Sequence, residues 1–295
     1  MRVTATILGA MLCAFGANAA LHAGESSLRV VGTDLLGVEF SRAIYDFAAR
    51  HGIRTALALD GSRPGLDELC ARRAEVALLM LPPEEETALD GFAAVVVAHH
   101  GVFVVAAEDC PLERITCEQL AGIFGAGPRD GIVRWSQLGV TGKWAEDRIA
   151  PRVPEIGSGI AVDLFRHVVL RDGELGPTVA HYRDLAELER PANGAARLLA
   201  LASRPPREGA GLKIIAVAAR PHDAAVLPTP ETLQRGEYPL RLPLRVVFRP
   251  EALAHVRPLL EFLMGEGAAP HFERAGLTPL PAPARVERLA EVAKM

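Results

Sequence analysis

The chain has 295 residues, 49% of them hydrophobic and 23% charged, a length that favours two domains and a composition that excludes a disordered chain or one small module. Aromatic residues make up only 5%, so the core must be aliphatic. Lys and Arg total 32 against 36 Asp and Glu, a net charge of −4, and no Lys/Arg-rich run is present; this excludes a basic nucleic-acid-binding domain.

The first element in the chain is a leader. Arg2 supplies a positive start, residues 3–16 are almost uninterruptedly apolar, and Ala17-Asn18-Ala19 places small residues where a signal peptidase reads them. The expectation is a signal peptide over 1–19, cleaved after Ala19, and a periplasmic protein. Cys13 follows Leu12 rather than a small residue, which argues against a lipoprotein. Cleavage would leave Cys70, Cys110 and Cys117. A local Cys110–Cys117 disulfide with Cys70 buried, and three buried free thiols, are both open readings. No CxxC or Cys/His cluster supports a zinc site, and no cofactor is expected. The longest later apolar stretch, 93–107, is interrupted by His99, His100 and Gly101 and is too short to span a bilayer.

Residues 27–32 (SLRVVG) read as a buried strand. Thr33-Asp34 then opens a helix whose apolar positions Leu36, Phe40, Ile44 and Phe47 recur at helical spacing, closed by Gly52. The pattern repeats as a strand over 55–59, a turn over 60–65, a short helix over 66–73 and a third strand over 75–81. Such alternation predicts an α/β fold with a parallel, doubly wound sheet. Pro82 to Glu86 read as a solvated acidic loop. Two β-branched runs, 93–97 and 102–106, flank the histidines, and a domain boundary is expected there. Beyond it come a helix over about 116–124, a Gly-rich loop over 125–131, and a helix opened by Gly157-Ser158-Gly159. An extended run over 213–218, a strand over 244–248, a helix over 250–264 and a C-terminal helix from about Arg285 complete the chain.

Three turns between a strand and a helix carry small or polar residues at the helix start: Gly32-Thr33-Asp34, Asp60-Gly61-Ser62-Arg63 and Gly157-Ser158-Gly159. There, free backbone N–H groups and the positive end of the helix dipole can meet an anion, although Ser and Thr are also ordinary helix caps. Ser158 could also be imagined as a nucleophile with His99, His100 or His167 as its base. Gly157 stands directly before it, however, not two residues before as a nucleophile elbow requires. GxxxxGKS/T, HExxH and GxGxxG are all absent.

The stretch LERITCEQLAGIFGAGPRDGIVRWSQLG, 112–139, resembles a segment of phosphate-type periplasmic solute-binding proteins of ABC importers. GSGIAVDLF at 157–165, PTPETLQRGEYPLRLPL at 228–244 and AGLTPLP at 275–281 match further elements of that family in order. The resemblance implies a two-lobed type II periplasmic binding protein fold, each lobe a central sheet flanked by helices, joined by a two-crossing hinge. The lobes would be 27–98 with 246–295, and an inserted lobe over 99–245. Carried over residue by residue, Thr33, Ser62, Ser158 and Gly159 fall at ligand-binding positions, with Asp34 and Gly157 in the same turns. Three departures stand out: the family's threonine after the serine and glycine is Ile160, its arginine is Pro154, and the polar residue after the third strand falls in Leu79-Met80-Leu81. Arg63 or Arg152 is then the candidate replacement cation.

The functional expectation is a monomeric, non-enzymatic receptor. It would capture a small anionic solute such as phosphate between its lobes and deliver it to an ABC permease in the inner membrane. The alternative is a degenerate binding-protein fold acting as a sensor or protein-interaction module, its cleft filled by Leu79, Met80, Leu81 and Ile160.

Overall fold

A computed structural model describes residues 27–127, 131–155, 159–189 and 197–294; the leader expected over 1–19, Gly157 and Ser158 lie outside them. The first half of the chain supplies β1 (Ser27–Gly32), α1 (Gly37–Arg50), β2 (Arg54–Ala58), α2 (Ser62–Cys70), β3 (Val76–Leu79) and β4 (Ala93–Gly101). It continues through β5 (Phe103–Ala107), β6 (Arg114–Thr116), α3 (Cys117–Phe124), β7 (Ala150–Pro154) and α4 (Ala161–Val168). Next come β8 (Ala180–Tyr182), α5 (Leu185–Glu189), β9 (Leu198–Ala202), β10 (Leu212–Ile214), β11 (Ala216–Ala218) and α6 (Pro230–Arg235). The chain closes with β12 (Arg241–Phe248), α7 (Leu253–Met264), α8 (Ala269–Arg274), β13 (Leu277–Pro279) and α9 (Ala282–Val292).

These strands form two main sheets, ordered β13-β4-β12-β3-β1-β2 and β10-β5-β9-β7-β8, with β11 and β6 paired separately. The first sheet takes strands from both ends of the described chain and the second only from the middle, so the chain passes between them twice. The parallel sheet expected from the βα pattern is found only in part. β1 runs parallel to β2 and β3, but β12, returning from the other sheet, inserts antiparallel between β3 and β4. Strand β4 also continues through His99, His100 and Gly101, where the sequence suggests a break, because β12 and β13 pair with it along that stretch.

The amphipathic pattern of α1 does what its spacing dictates: Phe40, Ala43, Ile44, Phe47 and Ala48 are buried. Phe40 packs on Phe272 with ring centroids 5.1 Å apart and Phe47 on Phe262 at 4.6 Å. Each such side chain contributes about 1.5–3 kcal/mol of burial. One apolar cluster runs through both sheets without interruption, from Leu28 and Val30 by way of Val102 and Leu240 to Phe165, and smaller clusters cover the outer faces. The stretch over 112–139 is part of this interior. Thr116 and Gln119 form a reciprocal capping box on α3, while Trp135 stands edge-on to Trp144 at 5.1 Å. Cys70, Cys110 and Cys117 are free thiols, and Cys70 is exposed rather than buried, since it ends α2 on the solvent side. Burial pushes the Cys117 thiol up to about 11. No described helix is long and apolar enough to cross a membrane.

Two glycines set the closest contact in the first lobe. Gly32 ends β1 with φ +133°, and a Cβ placed there would lie 2.0 Å from the Leu78 carbonyl oxygen. A Cβ on Gly65 would lie 2.6 Å from Gly32 Cα, so α2 rests directly on the end of β1. Gly32→Ala therefore combines a backbone clash with a disfavoured φ, and should cost about 3 kcal/mol or more. In thermal melts that is a drop of roughly 6–12 °C. Gly37→Ala, with φ +70° and open space around the added methyl, should lose only about 1–2 kcal/mol.

Candidate functional site

Ligands of open α/β sheets sit beyond the carboxyl ends of the strands. The carboxyl ends of β1 and β3 in the first sheet face those of β7 and β9 in the second across a cavity of about 300 Å3. The first lobe contributes Leu35, Met80, His100 and residues 273–277. The second contributes Pro154, Gly159, Ile160, residues 182–185 and residues 202–204.

Of the eight residues singled out from the sequence, Gly159 alone among those described lines this cavity. Thr33 is buried at 1% exposure; its N–H donates to Leu78 O at 2.8 Å and its hydroxyl oxygen accepts from Leu35 N at 3.3 Å. The Ser62 hydroxyl oxygen accepts from Met80 N at 3.0 Å, tying the start of α2 to the end of β3. Both hydroxyls thus act on the backbone of the turns, the structural role that such residues also serve at helix starts. Asp34 is exposed at the beginning of a 3-10 turn. Arg63 is 77% exposed and pairs with Glu85 at 2.5 Å. Arg152 is half-buried on β7 two residues before Pro154, so it sits about 6.6 Å back along the strand from the cavity. Neither candidate arginine reaches the site. Gly157 and Ser158 lie outside the described residues.

The acidic loop is not merely solvated. Residues 83–89 form consecutive 3-10 turns, and three adjacent carboxylates each meet a base on a different element. Glu85 takes Arg63, Glu86 takes the buried Arg245 of β12, and Glu84 reaches across the cleft to His167 Nε2 of α4 at 3.3 Å. The other ring nitrogen of His167 lies 3.2 Å from Asp172. These hydrogen bonds, led by that from Glu84, raise the His167 pKa. His167 is therefore an interlobe contact, and neither it nor its partners line the cavity.

Six of the lining residues define what the cavity offers a ligand. Ile160 stands where α4 begins and offers no side-chain cap, leaving the first turn of the helix beside Gly159 without one. Arg183 pairs with Glu155 at 3.8 Å, and Arg274 donates to His271 Nδ1 at 2.8 Å. Arg204, two residues beyond β9, makes no hydrogen bond or ion pair among the described residues. His100 is 4% exposed; its Nδ1 meets Gly276 O at 3.2 Å and its Nε2 is buried without a partner among the described residues. Met80 and Ile160 line the cavity as apolar wall, whereas Leu79 and Leu81 belong to the core behind it.

Arg204 is the residue that reading the sequence misses. Its signal was there: the apolar run Leu198 to Ala202 followed by Ser203-Arg204-Pro205 is a strand ending in polar residues. No group of three His, Cys, Asp or Glu among the described residues could hold a metal ion.

A family model described as PBP superfamily domain matches residues 18–266. None of the curated proteins matches the chain. The fold is similar to that of a possible phosphate binding protein from Planctomyces limnophilus, with 20% identity, a TM-score of 0.68 and coverage of 91% of this chain and 99% of that one. It is also similar to PstS from Borrelia burgdorferi, at 16% identity, a TM-score of 0.69 and coverage of 87% and 100%. An ABC-type phosphate transport receptor from Vibrio cholerae aligns at 19% identity with a TM-score of 0.61, covering 86% and 100%. At these identities the likeness is one of fold.

The histidines give the site a pH dependence of known sign. Burial, with Arg241 and Arg245 nearby, lowers His99 from 6.5 to about 3, and burial lowers His100 to about 4. Below pH 6.5 the unfolded chain binds more protons than the folded one, so stability falls with falling pH, by on the order of 2 kcal/mol per histidine at pH 5. His167 has the opposite sign: its raised pKa adds stability that is present at acid pH and lost as pH rises through the folded value. Melting temperatures should drop from pH 7.5 to pH 5, and the deficit of His167→Gln relative to wild type should be larger at pH 6 than at pH 8.5.

Proposed function

This chain belongs to the PBP superfamily, and on that footing we propose that it is a solute-binding protein that closes its two lobes on a small anionic solute and presents it to an ABC-type permease. The observation that carries this reading is Arg204: an arginine at the interlobe cavity with no carboxylate partner among the described residues, on the same cavity as Ile160, which starts α4 without a side-chain cap. A cation and free helix N–H groups facing one space are the ordinary means of holding an anion. Micromolar binding requires about 8 kcal/mol, which a charge-assisted hydrogen-bond set of this kind can supply if the ligand brings some apolar burial as well.

The similar proteins from Planctomyces limnophilus and Vibrio cholerae are a possible phosphate binding protein and a phosphate transport receptor, and that supports an anion as cargo. A periplasmic location after cleavage at Ala19 follows from the leader's composition. The chain would turn at the two crossings near residues 101–103 and 238–241, where β4 and β12 leave the first sheet, with the lobe of the first sheet moving against that of the second, and no covalent chemistry would be involved. An open cavity of about 300 Å3 supports this reading over a cleft sealed by its own side chains.

Calorimetric titration of the leaderless chain with phosphate, sulfate, molybdate and acetate tests the proposal. At least one anion should bind, and Arg204→Gln should weaken it tenfold or more. No heat and no thermal shift with any of the four, nor with longer carboxylates up to octanoate, would overturn it.

A further inference from the structure

We propose that the solute is an organic monocarboxylate with an apolar chain, its carboxylate on Arg204 and its chain in a second cavity, rather than inorganic phosphate. This inference rests on the solute-binding reading above and specifies its ligand. Beside the first cavity lies another of about 590 Å3, and the two share six wall residues: Leu185, Ser203, Arg204, Glu273, Gly276 and Leu277. Arg204 therefore stands at the junction of both spaces. The second cavity is walled largely by apolar residues from both lobes, among them Phe103, Ile214, Pro228 and Pro279. Its further polar residues are Arg207, which has a partner of its own, and Thr278.

The charges at the junction favour one negative charge over two. Arg183, Arg204 and Arg274 line the first cavity beside Asp184 and Glu273, a balance of one positive charge that a monoanion neutralises and a dianion exceeds. Arg63, the other cation near the first-lobe turns, is held by Glu85. His100 adds a second constraint. With Nδ1 committed to the Gly276 carbonyl and Nε2 fully buried, the ring offers the cavity no hydrogen-bond donor for a phosphate oxygen. Leu35, Met80 and Ile160 complete a wall on which a hydrocarbon gains and a hydrated phosphate loses.

The test is a chain-length series. Acetate, butyrate, hexanoate and octanoate are titrated calorimetrically into the leaderless chain beside inorganic phosphate. Affinity should rise about fourfold per methylene until the second cavity is filled. Ile214→Phe, which narrows that cavity, should reduce the octanoate-to-acetate affinity ratio at least tenfold. A flat series, an unchanged ratio in Ile214→Phe, or phosphate binding tighter than every carboxylate would overturn the carboxylate assignment and leave the solute-binding reading standing. Silence toward all of these anions would overturn both.

Discussion

The two sheets are joined where a pair of strands run side by side between them, and three groups hold that junction. Val102 N–H donates to Leu240 O at 2.9 Å, and the hydroxyl of the fully buried Tyr238 donates to Val102 O at 2.6 Å. Both polar groups of Val102 are thereby satisfied in a setting with no water to replace them, where an orphaned partner costs about 1–3 kcal/mol. Residues 99–101 lead into this junction within β4, and His100 lines the cavity, so one short stretch carries both the connection and part of the binding surface. Two strands crossing together leave the backbone able to change φ and ψ there while the sheets on either side keep their own pairing.

Much of the fold was legible because local pattern and tertiary structure agree. The strand over 27–32 and the apolar stripe of α1 sit where periodicity puts them, and the resemblance over 112–139 implied the right architecture. What escaped was set by distant partners. β7 is five residues long with two prolines and β8 only three residues, so nothing in their composition announces strands of a sheet. Arg63 looked like a ligand cation because a turn at a helix start suits one; Glu85, twenty-two residues away, takes it instead. Arg204 could be recognised as facing the cleft only once β9 was known to run parallel to β7.

Fold recognition and ligand recognition reside in different residues here. The segment that resembles the phosphate-type receptors is occupied with packing: Leu120, Ile123 and Phe124 are buried, Thr116 caps α3, and Trp135 stands edge-on to Trp144. None of these touches the interlobe cavity. The departures from that resemblance fall at Pro154, Ile160 and Leu79-Met80-Leu81, and Pro154, Ile160 and Met80 are apolar wall of the cavity. A lobe can therefore keep its core and its crossings while its cleft comes to suit another solute, which is why likeness of fold does not carry a ligand with it.

The Glu84–His167 pair has a consequence for how the molecule exchanges protons with its surroundings. The two residues stand on opposite sides of the cleft, and the contact raises the affinity of the imidazole for a proton. Separating the lobes removes that effect, and bringing them together restores it. Under the proposed hinge motion, closing would favour proton uptake at His167 and opening proton release. A compartment that turns acidic pulls this equilibrium toward the closed form by mass action alone, whether or not the solute is present.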